Sequence, residues 1–132
     1  MKNNTEVLVL DDEPIVCERL KAHLENLGFQ VETFTESRQA MDRLAEKTFD
    51  VVVTDLKMEG PSGQDVLRFV RDRMEGTQVI MITAYASAEA ARAADYTGVY
   101  EFILKPFQLD EMGKLVKKAA KKARRLRDRA EE

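Results

Sequence analysis

The stretch "VVVTDLKMEGPSG" (51–63) places three consecutive valines one threonine away from a carboxylate, Asp55. Short runs of β-branched residues are typical of strands that are buried on both faces of a parallel sheet. Five apolar runs of this kind occur along the chain, at 6–10, 31–34, 50–54, 78–82 and 101–104. We therefore predict five buried strands, the third of which ends next to Asp55.

Amphipathic segments separate the apolar runs and predict helices. The first helix is expected to begin at Pro14, which suits a first helical turn, and to stop at Gly28. The predicted starting residues of the other helices are Ser37, Ser62 and Ser87 as caps, and Gln108 or Leu109 for the last helix. Strand and helix alternating five times favours an α/β fold, a doubly wound five-stranded parallel sheet of the (βα)5 type.

The charge of the chain is unevenly distributed. The net charge of the 132 residues is -3, but residues 114–132 hold nine Lys or Arg against three acids, which is +6 and leaves -9 for residues 1–113. A basic tail can bind phosphates, although a solvated helix face is the simpler interpretation. The single cysteine, Cys17, excludes an intramolecular disulfide and fits a reducing compartment. No run approaches the roughly 18 apolar residues of a membrane span, so we expect a cytoplasmic protein with no membrane partner.

The last predicted helix carries an apolar stripe with heptad spacing. Its members are Leu109, Met112, Val116, Ala119, Ala123, Leu126 and Ala130. Such a helix would be about 33 Å long, so we expect its end, "RRLRDRAEE" (124–132), to overhang the sheet. The stripe either faces the core and frays at its charged end, or continues into a dimer coiled coil or a following effector domain. We divide the chain into a domain at 1–122 and an extension of the last helix at 123–132.

Carboxylates follow two of the predicted strands. Asp11 and Asp12 come after the first strand and Asp55 after the third, and ligands in open α/β sheets bind at this carboxyl edge. Two carboxylates about 4 Å apart repel by about 4 kcal/mol at an effective dielectric near 20, so such a cluster favours a divalent cation. Thr83 and Lys105 end the fourth and fifth strands and add a hydroxyl and an ammonium group. Together these groups suit a phosphoryl group.

The chain closely resembles the receiver domains of two-component response regulators over about residues 6–120. Gly63, eight positions after Asp55, also fits this family. The segments that carry the resemblance are "DDE" (11–13), "DLKM" (55–58), "TAY" (83–85) and "GVYEFILKPF" (98–107). The resemblance implies the flavodoxin-like strand order 2-1-3-4-5.

The resemblance also implies a set of roles. Asp55 would accept a phosphoryl group from a phosphohistidine on a sensor histidine kinase or a phosphotransfer protein. The implied Mg²⁺ ligands are Asp11, Asp12, Asp55 and the backbone carbonyl of Lys57. Lys105 and the Thr83 hydroxyl would each contact a phosphoryl oxygen, and the signal would pass through a switch formed by Thr83 and Phe102.

Three positions near the site are predicted to tune it. Glu59 stands where the family usually has proline, which adds a negative charge and changes the loop over the site. Lys57 and Tyr85, two positions after Asp55 and Thr83, flank the reaction centre. A charged lysine cannot accept a proton from water and a tyrosine can shield the phosphoryl group, so we expect autodephosphorylation to take many minutes or longer.

Two other functions are alternatives to a phosphorylation switch. A Mg²⁺-dependent phosphohydrolase would also use an aspartate nucleophile, but Lys57 stands where haloacid-dehalogenase-type phosphatases place an acid/base carboxylate. We therefore expect no enzyme beyond self-phosphorylation and slow autodephosphorylation. Direct nucleic-acid binding through the basic tail is disfavoured because the rest of the domain is acidic. Further candidate partners are a downstream effector domain and a second copy, bound through the last helix or the face around the fifth strand.

Overall fold

The structure is a computed structural model that describes residues 4–84 and 96–131. Its strands are β1 (Glu6–Leu10), β2 (Gln30–Phe34), β3 (Val51–Asp55), β4 (Gln78–Thr83) and β5 (Glu101–Leu104). Its helices are α1 (Pro14–Asn26), α2 (Ser37–Glu46), α3 (Gly63–Arg73) and the C-terminal helix (Leu109–Glu131). All five predicted strands are present, but the prediction that all are buried is wrong for β2 and β5, which lie at the edges of the sheet and are only partly buried. The helix predicted at Ser87 lies outside the described residues.

The strands form one parallel sheet in the order β2-β1-β3-β4-β5, which confirms the predicted topology. Val51 and Val53 of the opening stretch pack on one face, against α1 and the C-terminal helix, and Val52 packs on the other, against α2 and α3. A strand in the middle of a sheet that is covered on both faces has no solvent side, which is why three apolar residues follow one another. The valines thereby fix the position of Asp55 at the strand end.

The helix starts follow the sequence prediction in three cases and depart from it in one. The C-terminal helix begins at Leu109, one of its two predicted starting residues. Helix α1 begins at Pro14, and α3 is capped by Ser62, whose hydroxyl accepts from the Asp65 backbone N–H in a capping box. Ser37, by contrast, is the first residue of α2 and not its cap. The cap position is Glu36, whose side chain makes no capping bond. The Ser37 hydroxyl instead donates to the Glu59 carbonyl at 3.0 Å, so the prediction that Ser37 caps α2 is wrong.

The C-terminal helix packs along the sheet through its apolar stripe. Four stripe residues are buried, namely Met112, Val116, Ala119 and Ala123. Beyond them, Arg124 donates to the Thr5 hydroxyl and Arg127 pairs with Asp50 at 2.6 Å. The expectation that the helix overhangs from Arg124 onward is therefore wrong as far as Arg127, because the sheet provides a hydroxyl and a carboxylate at that edge.

No helix within 4–84 and 96–131 is long and apolar enough to cross a membrane. The division of the chain at residues 122 and 123 remains a prediction.

Candidate functional site

The ends of β1 and β3 bring three carboxylates together. Leu10 pairs with Thr54 in the parallel register, so the next residues, Asp11 and Asp55, stand level on neighbouring strands. Asp12 follows directly, and carboxylate oxygens of all three aspartates lie within 4.8 Å of one another. The cluster predicted from the strand ends is therefore present at the carboxyl edge of the sheet.

Asp11 forms the floor of this cluster. It is fully buried, and its Oδ1 accepts a hydrogen bond of 2.9 Å from the Glu13 backbone N–H. Burial raises the pKa of Asp11, although its bonds to Glu13 and Lys105 act in the opposite direction. Asp12 is exposed to solvent, so the cluster opens outward on that side.

Asp55 has a more strongly perturbed carboxyl group. Its side chain is only 15% exposed. Burial and then the charge of Asp11 raise its pKa to about 6, with Lys105 offsetting part of the effect. A buried carboxylate beside two others keeps an excess of negative charge that a cation would relieve.

Lys105 is the cation that faces the cluster. It follows β5, precedes Pro106 through a cis peptide bond, and donates its backbone N–H to the Thr83 carbonyl at 2.8 Å. Its Nζ lies 2.8 Å from Glu13, 3.1 Å from Asp11 and 3.8 Å from Asp55. Burial disfavours the charged lysine, but the contacts with these carboxylates outweigh it and raise the pKa of Lys105.

Glu13 is a site residue that was not predicted from the sequence. The Lys105 Nζ lies 2.8 Å from the Glu13 carboxylate but 3.8 Å from that of Asp55. The motif "DDE" contains Glu13, but which of its three acids meets the lysine depends on how α1 begins after β1. Only the packed structure provides that information.

The donor set fits a hard divalent cation. Three carboxylates supply oxygen ligands within a small radius, and one lysine balances only part of their charge. Mg²⁺ binds oxygen ligands and usually retains several waters, so a partial protein shell that opens to solvent suits it. The Asp11, Asp12 and Asp55 cluster therefore matches the chemistry of a Mg²⁺ site.

Thr83 and Phe102 lie on neighbouring strands. Thr83 is buried, and its hydroxyl donates to the Ala84 carbonyl at 3.2 Å. Phe102 is partly buried and meets Tyr96 edge to face, with ring centroids 5.4 Å apart. In this structure, therefore, the Thr83 hydroxyl is bonded to the backbone next to it, and the Phe102 ring is packed against Tyr96.

The loop after β3 lies next to the cluster. Leu56 donates its N–H to the Ile82 carbonyl at 2.8 Å and accepts from the Gly63 N–H at 2.9 Å. A Cβ on Gly63 would lie 2.5 Å from the Asp55 carbonyl oxygen, so only glycine permits this approach. Lys57 and Glu59 are exposed. Tyr85, the third predicted tuning residue, lies outside the described residues.

Comparisons with known proteins identify relatives of the chain. A family model described as "Response regulator receiver domain" matches residues 7–117. The transcriptional regulatory protein ZraR of Escherichia coli K12 is 32% identical over 117 residues, which cover 89% of this chain and 26% of ZraR. The response regulator protein PilR of Pseudomonas aeruginosa is 32% identical over 111 residues, which cover 84% of this chain and 25% of PilR. The chain thus spans about a quarter of the length of these curated relatives.

Solved structures show the same architecture. A receiver domain protein from Clostridium thermocellum aligns with a TM-score of 0.84 at 29% identity, covering 92% of this chain and 98% of that one. The receiver domain of the Francisella response regulator 1452 aligns with a TM-score of 0.80 at 27% identity, covering 89% and 98%. Both likenesses extend over nearly the whole of the described fold.

Proposed function

The chain belongs to the response regulator receiver domain family, and from this premise we propose that Asp55 is its phosphoacceptor. The observation that carries the proposal is the meeting of three carboxylates and one lysine around the end of β3. Asp55 is the cluster member of intermediate burial, between the fully buried Asp11 and the exposed Asp12. An incoming phosphoryl group can thus reach it while the neighbouring residues still hold it in place.

In the proposed reaction, an Asp55 carboxylate oxygen attacks the phosphorus of a phosphohistidine. The new O–P bond forms as the P–N bond breaks, and the bond's electrons leave with the imidazole, which takes a proton to become neutral histidine. The donor would be a sensor histidine kinase or a phosphotransfer protein. The product is an aspartyl phosphate, so the domain is a phosphoacceptor and not an enzyme that turns over external substrates.

Asp11, Asp12, Asp55 and the backbone carbonyl of Lys57 are the proposed Mg²⁺ ligands. When bound, Mg²⁺ would neutralise charge on the carboxylates and on the phosphoryl oxygens. Lys105 would donate from Nζ to one phosphoryl oxygen, and its present distance of 3.8 Å from Asp55 requires only a small movement. The Thr83 hydroxyl would leave the Ala84 carbonyl and donate to another oxygen.

The proposed switch follows from that movement of Thr83. A phosphoryl group adds about -1.5 to -2 charges, which favours the arrangement in which the hydroxyl points inward. Phe102 would then turn from its contact with Tyr96 into the vacated space. Because phenylalanine has no hydroxyl, this part of the signal would travel by packing alone.

Lys57, Glu59 and Tyr85 are proposed to set the lifetime of the phosphoryl group. A charged lysine at position 57 cannot accept a proton from the attacking water and a tyrosine at position 85 can shield the phosphoryl group, so we propose a lifetime of many minutes or longer. Measuring the loss of the phosphoryl group in Mg²⁺ buffer, without a phosphatase, tests this. A half-life of seconds would contradict it.

The output of the switch is proposed to lie in an effector domain beyond this segment, in the cytoplasm. The comparisons support this proposal, because the chain matches only 26% of the length of ZraR and 25% of the length of PilR. For a homodimer, the face around β5 is a better candidate than the last helix. Leu104 is 46% exposed there, whereas the stripe residues from Met112 to Ala123 are already buried.

The phosphoacceptor is tested by labelling with acetyl phosphate and Mg²⁺, followed by intact mass measurement. We expect the wild-type protein to gain one phosphoryl group and Asp55→Asn to gain none. Asp50→Asn is the matched control, because Asp50 is also a buried carboxylate and lies directly before β3, at the opposite end of the strand from Asp55. Equal labelling of Asp55→Asn and the wild type would refute the assignment.

A further inference from the structure

We propose that Ser37 is a positioning residue for the metal site, acting through the loop after β3. The inference rests on the proposed function, in which the Lys57 carbonyl in this loop is a Mg²⁺ ligand. Ser37 lies on α2, well away in sequence from the loop that it contacts. Its hydroxyl donates to the Glu59 carbonyl at 3.0 Å.

The location of Ser37 separates it from an ordinary helix cap. A serine that caps a helix accepts a hydrogen bond from a backbone N–H two or three residues later, as Ser62 does from Asp65. Ser37 is 1% exposed and lies inside the first turn of α2, where its hydroxyl bonds to a different part of the chain. A buried hydroxyl needs a partner, and here that partner is the loop.

Among residues 4–84 and 96–131, the loop has few other hydrogen-bonded anchors. Its ends are held by the bond from the Gly63 N–H to the Leu56 carbonyl and by the capping box at Ser62. Among the described residues, the Ser37 bond is the one hydrogen bond that reaches the backbone of residues 57–61 from another element. It therefore restrains the middle of the loop, two residues after the proposed carbonyl ligand.

The neighbouring glycine shows how closely the two segments approach. Gly60 has a φ of +83°, and a Cβ on it would lie 3.3 Å from the Ser37 Oγ. The left-handed glycine turns the chain directly over the serine, so the Glu59 carbonyl faces α2. Glu59 itself is exposed. The unusual residue at position 59 is thus held by its backbone, and its side chain is left in solvent.

A restrained loop favours metal binding because a ligand atom that is already in place does not have to be ordered when the ion binds. Without the Ser37 hydroxyl, the Lys57 carbonyl would sample more positions in the metal-free protein. Loss of one such hydrogen bond is expected to weaken Mg²⁺ binding by about 3- to 5-fold. The aspartates of the cluster would remain where β1 and β3 hold them.

The test is calorimetric titration of the metal-free protein with MgCl₂, comparing Ser37→Ala with Thr77→Val. Thr77 is the matched control, because its hydroxyl also donates to a distant carbonyl, that of Phe49, at 2.6 Å. It does so at the amino edge, away from the cluster. We expect both variants to lose similar stability in urea with EDTA, but only Ser37→Ala to bind Mg²⁺ more weakly. A purely structural role would not produce that difference.

Asp55→Asn is titrated in the same series to separate the two proposals. If Asp55→Asn loses Mg²⁺ binding while Ser37→Ala binds as Thr77→Val does, the role of Ser37 is refuted and the role of Asp55 stands. An equal loss of affinity in Ser37→Ala and Thr77→Val refutes it as well, since the effect would then follow overall stability. If Asp55→Asn binds Mg²⁺ as tightly as the wild type, the proposed metal site fails and the role of Ser37 fails with it.

Discussion

Asp50 lies directly before β3 and Asp55 is the last residue of that strand, and the two have opposite surroundings. The Asp50 carboxylate accepts the Glu6 backbone N–H at 2.8 Å and pairs with Arg127 at 2.6 Å. The Asp55 carboxylate shares its space with two other aspartates, and the nearest atom of Lys105 is 3.8 Å away. One end of the strand has its charge neutralised by the fold, and the other accumulates charge of one sign.

Burial does not explain this difference, since the two side chains are 8% and 15% exposed. The difference is one of partners. Glu32, elsewhere on the sheet, is also paired with an arginine. Its carboxylate accepts a hydrogen bond of 2.8 Å from Arg43, and that bond lowers the pKa of Glu32. The pKa of Asp55 is instead raised. The buried acid whose nearest cation in the described part of the chain lies 3.8 Å away is the one that we assign to ligand binding.

The largest effect on this comparison is expected from Asp55→Asn. A rise of the pKa from 3.8 to about 6 means that ionised Asp55 costs the folded state roughly 3 kcal/mol at pH 7. The variant should therefore be more stable than the wild type, by up to about 3 kcal/mol, in urea unfolding at pH 7 with EDTA. A loss of stability would show that Asp55 is not electrostatically strained.

The same variant has a defined pH dependence. Because the pKa of Asp55 is higher in the folded than in the unfolded state, its contribution favours folding at low pH and is lost as the pH rises through 3.8 to about 6. The gap in stability between Asp55→Asn and the wild type should thus be widest above pH 6 and should close below about pH 4. Repeating the urea unfolding across this range provides the check.

Asp50→Asn is expected to act in the opposite direction, with a smaller magnitude. It removes the charge that Arg127 faces and weakens the bond from the Glu6 N–H, so stability should fall by about 1–2 kcal/mol. The effect should not depend on Mg²⁺, because Asp50 lies at the other edge of the sheet. If Mg²⁺ restored the lost stability, the two edges would not be independent.

The smallest effect is expected from Glu13→Gln. In the present arrangement Glu13 holds Lys105 at 2.8 Å, so the phosphoryl group has to compete with it for the ammonium. Removing this partly exposed charge should speed labelling by acetyl phosphate about 2- to 3-fold at saturating Mg²⁺. Glu36→Gln, an exposed glutamate at the start of α2, is the control and should label at the wild-type rate. Slower labelling of Glu13→Gln would mean that Glu13 assists the reaction.

Much of the fold could be predicted because its signals are local. Runs of valine, isoleucine and leucine mark the strands, and the bounds of β1 and β5 agree with the predicted runs, although β5 at the sheet edge is only partly buried. The capping box at Ser62 involves residues three positions apart. The cluster was predictable for a different reason, since the carboxyl ends of parallel strands meet at one edge whatever the details of packing.

The errors occurred where a residue's partner is far away in the sequence. Serine is a residue type that often caps helices, yet the Ser37 hydroxyl donates to the carbonyl of Glu59, 22 positions later. Arg127 belongs to a charged helix end, yet Asp50 binds it. The contact between Glu13 and Lys105 joins the beginning of α1 to the end of β5. No local pattern distinguishes such a residue from one that faces solvent.

The sequence by itself determined which segments become strands and helices, their order along the chain, and the edge at which the acids gather. These properties follow from hydrophobic periodicity and from the direction of parallel strands, both of which are written in neighbouring residues. Only the tertiary structure decided which charges are neutralised. That outcome depends on distances of 3 to 4 Å between side chains far apart in sequence, over which electrostatic energies change steeply. Asp50 and Asp55 are the same residue type, and the fold alone makes one a structural partner and the other a candidate phosphoacceptor.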